Sequence, residues 1–395
     1  MTLPIAAMAG ESDSVGSAFA GLKPLLDARL RFEHVEQQPL ANDAEALTLR
    51  ARLGFETGKV WNTTLLAEGE FVVPIGSDYN STTNGKLTYP VVADPENYEL
   101  NRLQLTNTAI PDTTVTLGRQ RILLDDQRFV GNVGWRQKEQ TFDSVRVVNR
   151  SVPNLTLDVS YVSQVNRVFG KESPQGRYEG KTWLTNVSYL LPLGRLTAFG
   201  YEIEFRPDPA APAAVLDSSR TYGLRFSGEI EGKATKVGYM LSGARQRQHA
   251  DNPLRFDLDY FQAELNASYR GIQGGLGIER LAGDGVKGFT TPLATLHKFQ
   301  GWADKFLTTP PDGIVDRYAS IGWTSKAGLL DALSAVAVYH DYEAERGSLE
   351  YGSEIDLLLQ ARWQRWNAAI KYADYDADAW LTDTAKWWIQ LEYAW

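Results

Sequence analysis

Apolar and polar residues alternate in short segments along most of the chain. In the first segment Ala28, Leu30 and Phe32 share one face, and Arg29 and Arg31 lie between them. A period of two residues is typical of a β-strand with one apolar and one polar face. Further segments of this kind lie near residues 47–56, 65–71, 99–107, 112–121, 139–150, 154–164, 181–191, 195–206, 219–229, 234–245, 256–269, 272–283, 315–325, 331–343, 351–363, 365–375 and 387–395. The pattern predicts about eighteen strands.

Short and long connections between these segments follow each other in turn. Tight connections such as 151–153 and 231–233 are followed by long polar stretches such as 74–97 and 284–314. Outer-membrane barrels have short periplasmic turns, longer extracellular loops and an even number of strands. A soluble β-sandwich has no reason to keep its short connections on every second turn. We therefore expect an all-β fold, a transmembrane antiparallel β-barrel with one or more loops folded into the lumen.

The two ends of the chain fit this prediction. At the C-terminus Trp387, Ile389, Leu391 and Trp395 share one apolar face, which would promote aggregation on a free edge strand in water. No run of about 18 apolar residues is present, so a membrane-spanning chain of this kind must close into a barrel. At the N-terminus, residues 1–21 are interpreted as a signal-peptide remnant and tail. Residues 22–395 are interpreted as one barrel domain.

Composition and motifs narrow the range of functions. The chain has no cysteine and a formal charge of −9, which excludes disulfides and thiolate metal sites and disfavours nucleic-acid binding. It contains no HExxH, GxSxG or phosphate-loop pattern. Asp374, Asp376 and Asp378 imitate the start of a calcium loop, but Ala379 and Ala385 replace its glycine and closing glutamate. We therefore expect no enzyme activity, no metal and no cofactor.

Residues 118–138 form a basic stretch that does not alternate cleanly. If this stretch folds into the lumen, its positive charge would create an anion-selective constriction, and arginine pairs well with carboxylates. The candidates in the stretch are Arg119, Arg121, Arg128, Arg136 and Lys138. Candidates on the polar faces of predicted strands are Arg50, Arg52, Arg102, Arg146 and Arg362, with Arg29, Arg31 and Arg225 alongside them. Lumen carboxylates such as Glu68 and Glu70 could instead pair with many of these arginines. Alternation places Arg119 and Arg121 on the outer face unless a bulge intervenes.

The long connection before residue 315 holds a second group of candidates. His297, Lys298, Trp302 and Lys305 lie close together there. They are assigned a capping or gating role, with simple packing of Trp302 and Phe306 under the loop as the alternative.

With these residues in view, the sequence resembles the alginate-export family of outer-membrane porins. The resemblance rests on GRQRILLDDQRFVGNVGWRQKEQTFD, on TTPLATLHKFQGWADKFLTTPPDGIVDRY and on the run Tyr339–Tyr342. It implies an eighteen-stranded monomeric barrel with an arginine-lined constriction through which a polyuronate leaves the cell.

These observations lead to one expectation and two alternatives. We expect a passive porin of the bacterial outer membrane that conducts an acidic polysaccharide such as alginate, or its oligomers. The first alternative is an uptake channel for small anionic or aromatic solutes, and the second is a barrel scaffold or outer-membrane enzyme. The partners expected are the lipid bilayer, lipopolysaccharide and periplasmic export or uptake components, with no nucleic acid.

Overall fold

The structure is a computed structural model that describes residues 15–395, starting with a short helix, Val15–Ala20. Residues 1–14 of the expected signal-peptide remnant and tail lie outside the described residues. None of the helices in the described part is long and apolar enough to cross a membrane.

Eighteen strands make up most of residues 15–395. They are β1 (Lys23–Gln37), β2 (Ala44–Glu56), β3 (Thr63–Pro74), β4 (Asn97–Asn107), β5 (Thr113–Gln120), β6 (Thr141–Asn149), β7 (Leu155–Asn166), β8 (Arg177–Leu191), β9 (Gly194–Ile203), β10 (Ser219–Glu231), β11 (Thr235–Gln248), β12 (Asp257–Tyr269), β13 (Ile272–Leu281), β14 (Ile314–Ala327), β15 (Leu330–Glu343), β16 (Glu350–Trp363), β17 (Trp366–Ala377) and β18 (Thr384–Ala394). Two short 3-10 helices, Ala214–Asp217 and Leu296–Lys298, lie in connections.

Each strand pairs antiparallel with its neighbours in sequence, and β1 also pairs with β18. This last pairing joins Ala28 to Tyr393 and Gln37 to Thr384, so the sheet closes on itself and leaves no free edge. The predicted fold class and strand number are therefore confirmed. Several strands extend beyond the alternating segments, because pairing with neighbouring strands, rather than side-chain pattern alone, decides where a strand ends. β8, for example, begins at Arg177 rather than near residue 181.

The barrel reverses the burial of a soluble protein. Leu241 in the middle of β11 is 53% exposed, whereas Arg31 and Arg50 are fully buried. Large apolar residues face outward along every part of the wall, as a lipid-facing surface requires. On β18 Trp387, Ile389 and Leu391 are exposed in this way, as their alternation predicts.

The connections divide into two sets at opposite ends of the barrel. Turns of two to six residues occupy the end at which β1 begins and β18 ends, which we call the turn end. One of the two-residue turns consists of Arg270 and Gly271, both with positive φ, as in the turns that suit two-residue hairpins. The other end, the loop end, carries connections of up to 32 residues. Three of them matter below: loop A (residues 121–140), loop B (residues 282–313) and loop C (residues 167–176).

Loops A and B fold into the barrel and pack against each other. Val130 of loop A pairs with Leu293 of loop B, and the Gly131 amide donates to the Leu293 carbonyl at 2.8 Å. Ile122 and Leu124 of loop A pack with wall residues of β6 to β9, and Phe289 and Phe306 of loop B pack with the wall from β12 to β18. The expectation that loops enter the lumen is therefore confirmed.

Candidate functional site

Arginines of the wall hold the backbone of loop A. The Arg29 guanidinium donates to the carbonyls of Gly134 and Trp135 at 3.1 and 3.0 Å, and Arg31 donates to the Trp135 carbonyl at 2.6 Å. Arg52 reaches the Gln137 carbonyl at 3.3 Å. Buried carbonyls need donors, and an arginine offers five in a fixed geometry. These wall arginines therefore fix the loop in place.

Arg128 connects loop A to loop B and to the wall. Its side chain is 1% exposed, and Nε lies 2.5 Å from Glu279 of β13. It also donates to Thr291 at 2.9 Å and to Gln300 at 3.4 Å. A buried charge is tolerated when it is paired and hydrogen-bonded in this way. Arg128 is therefore a cross-link between loops and wall, with its charge neutralised.

Arg136 is held in a similar way. Its guanidinium lies 3.1 Å from Glu33 of β1 and 3.1 Å from Asp304 of loop B, and 3.7 Å from Asp94. Lys386 of β18 shares Asp304 at 3.4 Å. Arg136 thus lines the lumen with three carboxylates around its guanidinium.

Trp135 is enclosed by cations and rings. The Arg31 guanidinium lies 4.0 Å from the centre of the Trp135 ring, and the amine of Lys371, a residue of β17, lies 4.1 Å from the same centre. The same amine is 3.7 Å from the Trp302 ring of loop B, and His297 stacks on Trp135 at 4.5 Å. Cation–π contacts are strongest when the cation is removed from water, as it is here. The cluster joins both loops to the wall.

His297 connects Asp304 and Lys371 by hydrogen bonds within that cluster. Its Nδ1 lies 2.8 Å from Asp304, and the Lys371 amine lies 2.6 Å from Nε2. We assign a proton to Nδ1, which donates to Asp304, and Nε2 accepts from Lys371, so the ring is neutral. Burial, together with the nearby charges of Lys371 and Arg136, lowers the pKa of His297 to about 3 and outweighs the opposing effect of Asp304. Two residues of the predicted capping or gating group, His297 and Trp302, thus belong to this packed cluster.

Most of the other candidate cations are also in ion pairs. Arg102 pairs with Glu68, Arg121 with Glu139, Lys138 with Glu99, Arg146 with Asp158, Arg52 with Glu70, and Arg50 with Asp27 and Glu392. Arg121 and Arg146 keep 30% and 22% of their side chains exposed to the lumen. The sequence left open whether lumen carboxylates pair with these arginines, and in the structure they do.

Arg119 and Arg362 differ from the rest. Arg119 lies in β5, not in loop A, two residues beyond the outward-facing Leu117, and pairs with Asp143 of β6 at 2.7 Å. It also lies 3.7 Å from Glu99, which pairs with Lys138 of loop A, so its role at the constriction stays a prediction. Arg362 faces inward near the turn end, and no described residue forms an ion pair with it.

The two lysines of the loop B group have different surroundings. The Lys298 amine is exposed and donates to the Asp126 carbonyl at 2.9 Å. The Lys305 amine is buried, donates to Thr384 at 2.7 Å and has no carboxylate within ion-pair distance in residues 15–395. Burial and the neighbouring charge of Lys386 lower the pKa of Lys305 to about 8.

Two cavities flank the inward loops. The first, which we call the vestibule, has a volume of about 460 Å³ and lies at the loop end between loops A, B and C. The second, the lower cavity, has about 410 Å³ and lies between loop A and the turn-end wall of β7 to β10. Arg195 and Arg225 line the lower cavity with Asp125, Asp126 and Asp158.

Sequence reasoning missed three of the lining cations, namely Arg167, Arg195 and Lys386. Arg195 is on the polar face of a predicted strand, so its alternation with Leu196 was a usable signal. Arg167 of loop C lines the vestibule, and no periodic pattern extends to it.

Part of the chain matches a family model. Residues 93–253 match the model described as alginate export. This range contains loop A, so the resemblance drawn from the first motif is confirmed, whereas the loop B motif lies outside it. None of the curated proteins matches the chain.

Three solved structures with the same fold are of proteins from Pseudomonas aeruginosa. OpdO is 13% identical with a TM-score of 0.74, covering 96% of this chain and 98% of that chain. OpdK with vanillate is 14% identical, with a TM-score of 0.69 and coverages of 95% and 99%. OccK2 (OpdF) in complex with glucuronate is 13% identical, with a TM-score of 0.68 and coverages of 96% and 99%. Over residues 93–253 the chain is similar to the alginate-export family, and over its length it has the fold of bacterial outer-membrane porins.

Proposed function

We propose that this barrel is a passive outer-membrane channel for small carboxylate-bearing solutes. The observation that carries the proposal is the arrangement of the lumen. Loops A and B, cross-linked by Arg128 and docked by wall arginines, occupy it between the vestibule and the lower cavity. A passage that two fixed loops restrict suits small solutes better than it suits a polymer.

The arginines without an ion-pair partner along this passage favour anions. Arg195 and Arg362 face the lumen toward the turn end, and none of the described residues forms an ion pair with either of them. Arg121 and Arg146 keep part of their surface open to the lumen. Fixed positive charge in a passage with low-dielectric walls concentrates anions. Structural neighbours with vanillate and glucuronate add support, since both ligands carry a carboxylate.

The channel activity can be measured in planar bilayers under a salt gradient. We expect a reversal potential that indicates anion selectivity, and entry of glucuronate faster than entry of a neutral sugar of the same size. Replacing Arg195 and Arg362 together by alanine should reduce the anion-to-cation permeability ratio. Arg317→Ala, which removes a charge from the outer face of β14, should not change that ratio. Cation selectivity of the unaltered protein would contradict the proposal.

A polyuronate is the second candidate solute, because residues 93–253 match the alginate-export model. It is tested in the same bilayers by adding polymannuronate to the loop-end or turn-end side. Brief, voltage-dependent interruptions that shorten at higher voltage would indicate that the polymer passes through. Permanent block, or no effect, would leave only small solutes.

A further inference from the structure

Among residues 15–395, the vestibule holds two cations that form no ion pair with a carboxylate. The Arg167 guanidinium of loop C lies 4.3 Å from the Tyr178 ring and 4.9 Å from the Phe169 ring, and it donates to the Gln175 carbonyl at 3.2 Å. The Lys305 amine of loop B donates to the Thr384 hydroxyl at 2.7 Å. Within residues 15–395, neither side chain forms an ion pair, although both line the same cavity.

The other two cations that line the vestibule are in ion pairs. Arg136 and Lys386 share Asp304, and Arg136 also has Glu33. The carboxylate whose charge acts on Arg167 is Asp217, and its Oδ1 already accepts hydrogen bonds from Lys287 and Thr290, each at 3.0 Å. Asp304 is thus the one carboxylate lining the vestibule among the described residues, against four cations. The cavity has a local excess of positive charge.

Holding cations away from water without a counter-ion costs free energy. Burial lowers the pKa of both Arg167 and Lys305, because removing a cation from water disfavours its charged form. The stacking rings and the loop C turn nevertheless keep Arg167 in one place, since its backbone amide is bonded to the Gly176 carbonyl at 2.8 Å. An arrangement of this kind is stabilised when an anion enters.

The rest of the lining sets the kind of anion. Apolar side chains surround the two cations, namely Val91, Val133, Val168, Phe169, Pro292, Leu296, Leu307 and Leu381. The volume of about 460 Å³ lies within the range of small-molecule sites, roughly 300–1,000 Å³. We propose that the vestibule is a binding site for a compact carboxylate with an apolar ring or chain, with Arg167 and Lys305 as its recognition residues. The inference rests on the proposed channel function for the role of the site, but not for the binding itself.

Binding is tested directly by titration calorimetry on the detergent-solubilised barrel, with benzoate as the probe and benzyl alcohol as the neutral comparison. We expect benzoate to bind and benzyl alcohol to bind at least tenfold more weakly. Arg167→Met and Lys305→Met should each weaken benzoate by about tenfold or more, the scale of one lost charge-assisted hydrogen bond. Lys171→Met, which alters an exposed lysine of the same loop C, is the matched control and should bind as the unaltered protein does.

The pH dependence gives a second readout that loss of folding would not imitate. Lys305 has a pKa of about 8, so benzoate binding should weaken as the pH rises from 7 to 9. In Lys305→Met this loss should disappear. Arg167→Lys, which keeps the charge, should bind benzoate more tightly than Arg167→Met.

Bilayer recordings separate this inference from the proposed function. Benzoate should block the current at lower concentration when it is added from the loop-end side, because the vestibule lies there. Binding without any conductance would refute the channel and leave the site intact. Conductance without benzoate binding, or binding that both methionine variants leave unchanged, would overturn the site and leave the channel.

Discussion

Arg128 provides the sharpest test of what the basic loop does. The sequence alone suggests that Arg128 provides positive charge that attracts anions passing through the channel. In the structure it is 1% exposed, paired with Glu279 and bonded to Thr291 and Gln300. We therefore expect Arg128→Ala to release loops A and B from the wall while changing ion selectivity little.

The magnitude follows from burial. Removing one partner of a buried ion pair leaves an uncompensated charge and costs about 3–5 kcal/mol. Since about 1.4 kcal/mol corresponds to a factor of ten, the closed state should lose at least roughly a hundredfold in its equilibrium with released loops. Replacing both partners, as in Arg128→Met with Glu279→Gln, removes the unpaired charge and should restore most of the lost stability.

Arg121 is the matched comparison, because it carries the same charge in the same loop. Its side chain is 30% exposed, and its partner Glu139 keeps bonds from Asn101 and Asn132 at 2.6 and 2.7 Å. Arg121→Ala should therefore reduce anion selectivity without destabilising the loop.

Single-channel recording measures both properties at once. Arg128→Ala should show added conductance levels and frequent fluctuations between them, and the double variant should return to quiet openings. A quiet Arg128→Ala channel with lost anion selectivity would refute the reasoning and return Arg128 to the role that the sequence suggested.

Three further outcomes can be measured with the same preparations. Lys371→Met removes the cation between Trp135 and Trp302, each contact being worth up to about 2 kcal/mol when desolvated, so current fluctuations should increase. Acidification should act through His297, whose pKa is about 3 in the closed loop and about 6.5 when released. Because the released form then binds the extra proton, closure is fully stable above pH 6.5 and loses about 1.4 kcal/mol per pH unit as the pH falls toward 3. His297→Gln should remove this dependence, and fluctuations independent of pH in the unaltered protein would contradict it. Leu241→Arg places a charge on the lipid-facing wall and should destabilise the barrel by about 2–4 kcal/mol in liposome unfolding titrations; a smaller change than for a lumen-facing substitution would contradict that assignment.

The sequence by itself determined the wall of this protein. The outward and inward faces follow from a two-residue period, which is a local property that lipid on one side and a polar lumen on the other impose on each strand separately. The alternation of Leu30 with Arg29 and Arg31 could therefore be interpreted correctly without knowing any partner. The lengths of the connections were equally local, and they indicated which end carries the loops.

Only the tertiary structure decided what the charges do. Arg128 meets Glu279, 151 residues away, and Arg29 meets carbonyls of loop A more than 100 residues away. Spacing along the chain cannot reveal such pairs, so the sequence left open whether the arginines carry free positive charge or are paired. Arg167 and Lys305 remain without a carboxylate because closing the barrel brings their loops together while nearby acids are already engaged. Whether a charge is free or neutralised depends on its three-dimensional neighbours, and those are set only when the barrel is complete.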